Sequence, residues 1–178
     1  FVDYESYLQS LAMAAHIGPF RPDQLERVTQ LINKTNQFNL TTRRYTEAET
    51  RHYMESGEYI TLAGRLVDKF GDNGITSAII GKITGDTLDI QLWVMSCRVF
   101  KRHFEYTMFD ALVAAARQRG ITTLTGSWAK TAKNLLVKDF YATIGFDLVA
   151  GNEEERSFRY TVPAEYTNKN NVIAIEES

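Results

Sequence analysis

The sequence is poor in the features that mark several large classes of protein. It has one cysteine, Cys97, so no disulfide can form within the chain, and a reducing compartment, the cytoplasm, is the expected setting. Only 3 prolines occur in 178 residues, and hydrophobic residues make up 44% against 24% charged, which excludes a disordered, low-complexity chain. No apolar run approaches the roughly 18 residues of a membrane span, and no charged segment followed by an apolar one resembles a signal peptide, so no membrane association is expected. The net charge is -2 and the isoelectric point about 6.0, which gives no global attraction to nucleic acid; any anion site must be a local concentration of charge. The 3 histidines form no cluster, and Asp68 and Asp72 lack calcium-loop spacing, so no metal site is expected. No internal repeat is present.

What remains is a chain long enough for one packed domain. It begins at Phe1 without methionine and runs directly into a helical pattern, which reads as a fragment of something longer. Apolar positions at Tyr4, Leu8, Leu11 and Ala15 predict a helix over 3–16. Pro22 opens a second helix carrying Leu25, Val28, Leu31 and Ile32. This pair, residues 1–33, reads as a cap or an interdomain linker, followed by the main domain over 34–163 and a polar tail over 164–178. Within the main domain, a strand is expected over 38–45, with Phe38 and Leu40 the only large apolar residues of a polar stretch. Thr46 and Glu49 form a capping box for a short helix. Strands over 59–66, 75–83 and 87–94 are joined by short turns, with Asn73-Gly74 the expected reversal, and must form an antiparallel meander. A long helix ends at Gly120 and leads through a crossover to a strand at 121–126, free to pair in parallel. Thr131 is the expected cap of a last helix bearing Leu135, Leu136, Phe140 and Ile144, and two strands at 146–149 and 157–162 close the domain. The economical solution is a mixed, mostly antiparallel, splayed sheet with helices on both faces, an α/β arrangement of acetyltransferase type.

The chain is organised around residues 91–120, where a half-buried strand (Leu92 and Val94 against Gln91 and Trp93) runs into a helix start through a basic junction. Backbone N–H groups and the positive end of the helix dipole make such a junction an anion site. Arg98, Lys101, Arg102 and His103 cluster there, against the dipole, so they read either as phosphate ligands, a solvated basic surface or a docking face. Cys97 reads as a nucleophile activated by its setting or as a small packed residue. Glu105 reads as a base or a salt-bridge partner. Asn134 and Tyr141, seven apart on one expected helix, should share a face, with Phe140 turned to the core and the Tyr141 phenol free at a cleft to protonate a departing thiolate; core packing is the alternative. Trp128 reads as a pocket wall or a surface aromatic.

The blocks Lys34-Thr35-Asn36-Gln37-Phe38-Asn39, Arg43-Arg44-Tyr45-Thr46, Asp68-Lys69-Phe70-Gly71-Asp72-Asn73-Gly74, Ser96-Cys97-Arg98-Val99, and Asp139-Phe140-Tyr141 through Gly145-Phe146 together resemble the C-terminal half of the FkbH-like proteins, from Tyr4 to the strand after Gly145. The resemblance implies an acetyltransferase-like (GNAT-like) fold behind a haloacid-dehalogenase (HAD)-type phosphatase domain. It also implies transfer of a glyceryl unit from a phosphoglycerate donor to the phosphopantetheine thiol of an acyl carrier protein. The D-x-D nucleophile motif of the HAD-type domain is not in this sequence, so magnesium and dephosphorylation would belong to that partner domain. The family also occurs in settings other than polyketide loading, which leaves the acyl unit open. In the wider acetyltransferase superfamily the phosphate loop has the form R/Q-x-x-G-x-G/A. Residues 98–103 match it at Arg98, with Lys101 and His103 in place of the glycines. Asn134, Tyr141 and Gly145-Phe146 fit the later superfamily motif, which makes Tyr141 the implied general acid and Arg98, Lys101, Arg102, His103 and Asn134 the implied ligands of a carrier arm or of CoA.

Three functions are therefore weighed. The first is an acyltransferase using Tyr141, Cys97 and Glu105 on a carrier-bound thiol. The second is a noncatalytic dock for the carrier or the HAD-type domain, favoured if the basic groove is intact and Tyr141 turns into the core. The third is a CoA-dependent N-acetyltransferase.

Overall fold

The computed structural model describes residues 3–176. Residues 1, 2, 177 and 178, at the ends of the two expected terminal segments, lie outside the described residues. The elements in order are α1 (Tyr4–Ser10), β1 (Ala14–Gly18), α2 (Leu25–Lys34), β2 (Phe38–Asn39), α3 (Glu47–Glu55), β3 (Tyr59–Asp68), β4 (Gly71–Thr84), β5 (Thr87–Met95), α4 (Phe104–Gln118), β6 (Thr123–Ala129), α5 (Phe140–Thr143), β7 (Asp147–Gly151), β8 (Glu155–Thr161) and β9 (Ala174–Glu176). Eight strands line up as β7-β8-β6-β5-β4-β3-β1-β9, and β2 pairs with β5 off that line. The meander β3-β4-β5 is antiparallel, and the crossover through α4 makes β5 and β6 parallel, as the connection lengths require.

The sheet separates two apolar layers. Leu92 and Val94 of β5 pack with Val28, Leu31 and Ile32 of α2, while Trp93 and Met95 face Phe104, Met108, Phe109 and Leu112 of α4. The strand is therefore covered on both faces, and Trp93, expected on the wetter side, is fully buried. Each large aliphatic side chain so enclosed contributes roughly 1.5–3 kcal/mol relative to exposure.

Four local expectations change, and the placement of the tail, left open by the sequence, is settled. The predicted helix over 3–16 stops at Ser10, and residues 14–18 form β1, antiparallel to β3 and parallel to β9; Ala12 turns the chain at φ 50°. The first 33 residues are thus a helix, a sheet strand and a second helix rather than a helical pair. The hairpin between β3 and β4 reverses at Lys69-Phe70, and Asn73-Gly74 falls inside β4 beside a register shift. The strand expected over 38–45 is two residues long, because Thr42 adopts φ 54° and donates its N–H to Asn39 Oδ1. The helix expected from Thr131 is a 3-10 turn (Leu135–Val137) and the four-residue α5, with Leu135 and Leu136 exposed. Last, the polar tail docks: the Tyr166 hydroxyl and the N–H groups of Lys169 and Asn170 donate to the Asp110 carboxylate, and β9 extends the sheet.

Candidate active site

Beyond Ile90 and Gly126 the parallel strands β5 and β6 cease to pair. Two diverging strands expose ladder groups that need partners. Here the chain supplies them: Phe38 and Asn39 pair with Met95 and Val94, Leu40 N–H donates to Trp93 O at 3.4 Å, and Ala129 N–H donates to Leu40 O at 2.9 Å. Thr41 Oγ1 donates to Gln91 O at 3.0 Å. Residues 38–41 therefore bridge the gap, with Phe38, Asn39 and Leu40 buried.

Asn134 fastens this bridge. Its Nδ2 donates to Asn39 O at 3.0 Å and to Ala129 O at 2.8 Å, and its Oδ1 accepts from Thr131 N–H. Every polar group of a fully buried amide is satisfied, as burial requires. Trp128 is buried rather than superficial and donates Nε1 to Asn134 O at 3.3 Å.

Tyr141 does not share a face with Asn134 on one helix, because a 3-10 turn and a break at residues 138–139 separate Asn134 from α5. Phe140 packs in the core as expected, edge-on to Trp93, but Tyr141 is buried there with it instead of facing a cleft. Tyr141 is 1% exposed, its hydroxyl has no partner, and burial, with Asp89 second, pushes the phenol well above its ordinary range. Its ring lies where a Cβ at residue 126 would stand, 2.4 Å away, so only glycine fits there. In this conformation the phenol reaches no cavity lined by the other candidates. Phe140 instead lines an apolar cavity of about 270 Å³ together with Phe38, Phe100, Lys101, Glu105 and Leu136. Glu105 Oε2 has no hydrogen-bond partner, and burial raises its carboxyl above the ordinary value. An under-solvated carboxylate of this kind holds a proton more readily than an exposed one.

The basic junction is largely committed. Arg98 Nη2 donates to Asn73 O at 2.8 Å, and Arg102 Nη1 donates to Asp68 Oδ2 at 2.7 Å. Burial alone would raise the Asp68 carboxyl, but the hydrogen bonds from Arg102, Phe70 N–H and Asn73 hold it below its ordinary value. Lys101 and His103, which stand where a phosphate loop would carry glycines, both adopt positive φ, 63° and 64°. The backbone thus follows a glycine-type path with side chains attached, at a cost of about 1–3 kcal/mol each. Tyr4 of α1 lies over this loop: its hydroxyl donates to Lys101 O, and its ring centroid is 5.9 Å from that of His103.

Cys97 is exposed, in the 3-10 turn after β5. It lines the larger cavity, about 830 Å³, with Arg27, Lys34, Asn36, Gln37 and Lys133, and no aspartate or glutamate contributes to that lining. Lys34 and Lys133 form no salt bridge among the described residues. Burial and the nearby Arg98 charge lower Arg27 from its ordinary value, and its guanidinium donates to Gln30 Oε1 at 3.0 Å and Ile75 O at 3.2 Å. Phe38, Met95 and Phe100 line both this cavity and the Glu105 cavity and so stand between them. Sequence reasoning missed Arg27, Lys34 and Lys133, since cations on or near helix ends look like ordinary surface; Phe38, with Leu40 one of two large apolar residues in a polar run, was the visible signal. Among the described residues no group of three or more potential metal ligands is present, and no helix is long and apolar enough to cross a membrane.

No family model matches the chain, and no curated protein matches it in sequence. Solved structures do. The ribosomal-protein-S18-alanine N-acetyltransferase from Escherichia coli superposes with a TM-score of 0.64 at 13% identity, covering 88% of this chain and 99% of that one. A putative acetyltransferase of the GNAT family from Desulfovibrio desulfuricans gives 0.64 at 14%, covering 85% and 100%. The putative acetyltransferase yncA from Salmonella typhimurium, with its cofactor acetyl-CoA, gives 0.61 at 13%, covering 88% and 98%. The chain has the GNAT acetyltransferase fold.

Proposed function

We propose that this chain is an acyl-transfer domain that passes a small, glyceryl-type acyl unit to the phosphopantetheine thiol of an acyl carrier protein, in concert with a HAD-type phosphatase domain. The observation that carries the reading is the Cys97 cavity, with a thiol on its wall, three cations around it and no carboxylate in its lining. A phosphopantetheine arm suits that cavity in size and charge: its phosphate would meet Lys34, Lys133 or Arg27, and its thiol is the acceptor that the reaction needs. Cys97 attacks the carbonyl of an activated acyl donor, the donor's leaving group departs with the thiol proton, and a thioester on Cys97 results. Cys97 then releases the acyl unit to the carrier thiol and recovers a proton, an exchange of one thioester for another that needs no further reactant. The cations orient the anionic partner. The test is carrier loading, with the chain, the HAD-type domain, phosphoglycerate donor and phosphopantetheinylated carrier mixed and the carrier weighed intact. A glyceryl increment that depends on this chain is expected, and none under folded conditions contradicts the proposal.

The burial of Tyr141 favours a second reading, a noncatalytic dock for carrier or phosphatase domain, because it removes the expected proton donor from solvent-accessible space. Carrier binding without any mass increment is its signature. The CoA-dependent N-acetyltransferase reading draws on the fold and on the neighbour that holds acetyl-CoA.

A further inference from the structure

We propose that residues 38–41, clamped by Asn134, close the gap between β5 and β6 to any extended ligand, so that the chain itself occupies the place a CoA arm would take. This goes beyond the acyl-transfer reading and stands without it.

A pantetheine arm carries two amides and can add to an exposed strand edge as another strand would. The edge that diverging β5 offers is already taken by Phe38, Asn39 and Leu40, and Ala129 at the end of β6 is paired with Leu40 O. Admitting an arm would release those bonds and the Asn134 bond to Asn39 O. It would also move Phe38, which packs edge-on to Phe140 at 4.9 Å, and Leu40, 1% exposed, toward water. Each released group must find a new partner or stay unsatisfied.

The other half of a coenzyme site is also covered. The loop over 98–103 keeps a glycine-type path at Lys101 and His103, but Tyr4 donates to Lys101 O and lies beside the His103 ring, and Arg98 and Arg102 are spent on Asn73 and Asp68. Glu105, with one oxygen unpartnered, stands in the first turn of α4 and offers an anionic ligand no donor while ionised. These residues do not fit a coenzyme threaded between the strands. Asn134 acts here as a positioning residue, holding a strand rather than a ligand.

The test reads amide exchange at Leu40 and Ala129 in the whole chain, with calorimetry alongside, in the absence and in large excess of CoA. Both amides should exchange at unchanged rates when CoA is added. Asn134→Ala should exchange Leu40 and Ala129 about tenfold faster, from loss of the clamp; unchanged rates in that variant would overturn the clamp. Saturable CoA binding that leaves both amides protected upholds the closed gap and puts the coenzyme elsewhere. Saturable binding accompanied by loss of protection at Leu40 overturns the proposal. No outcome depends on acyl transfer, so failure here is distinct from failure of the carrier-loading assay.

Discussion

An exposed thiol among cations and amides and a phenol sealed in an aromatic core are two residues with opposite prospects. Cys97 can be altered with little effect on packing because it is exposed. Cys97→Ser should leave the melting temperature within error and slow carrier loading by about a hundredfold or more, as loss of a covalent nucleophile does. Tyr141→Phe removes a hydroxyl that has no partner, so neither stability nor single-turnover transfer should fall. A large loss of transfer in that variant would mean that the phenol leaves the core during reaction. The superfamily-like spacing of Asn134, Tyr141 and Gly145 was legible in the sequence, but the side-chain directions were not. They depend on Gly126, whose missing Cβ makes room for the Tyr141 ring, and no local pattern reports a contact between residues 15 apart.

At the level of elements, the meander, the α4 crossover and the capping box of α3 followed from spacing and cap chemistry alone. Thr46 and Glu49 satisfy each other's N–H groups as the motif requires. β1 did not, because its Ala14 and Ala15 also continue a helical stripe, and only pairing with β3 and β9 makes them a strand. β2 was overestimated for a related reason: Thr41 to Tyr45 reads as extended, yet Arg44 is drawn back to Ile32 O on α2 and to Thr35 O just past its end. The hairpin that carries Asp68 is tied to the start of α4 by Arg102, and this tie has a pH signature. Asp68 is held below its ordinary value, so its contribution is present above the unfolded value of about 3.9 and is lost as pH falls through the lower folded value. Asp68→Asn should therefore destabilise at neutral pH by roughly 1–3 kcal/mol, the cost of leaving a partly buried partner unsatisfied. Denaturant melts of the two proteins should converge in strong acid. A gap independent of pH would assign the loss to packing instead.

For the whole molecule, a splayed mixed sheet with helices on both faces was readable from element order, and solved GNAT structures share that fold; which helix takes which face comes from the packing of α2 against one layer and α4 against the other. The two cavities were not readable, because each is assembled from segments far apart in sequence. The larger joins the end of α2, the turn after β5 and the stretch before α5, and Phe38 and Phe100 divide it from the Glu105 cavity. Under the proposed function, such a division would let Cys97 act on the cationic side while the gap between β5 and β6 stays filled. The central claim is that Cys97 carries the acyl unit, and the most direct measurement is the intact mass of this chain after incubation with activated glyceryl donor and the HAD-type domain, without carrier. The account predicts one glyceryl increment on the wild-type chain, discharged when carrier is added, and none on Cys97→Ser. Carrier loaded at the wild-type rate by Cys97→Ser, with no increment on either chain, would contradict it.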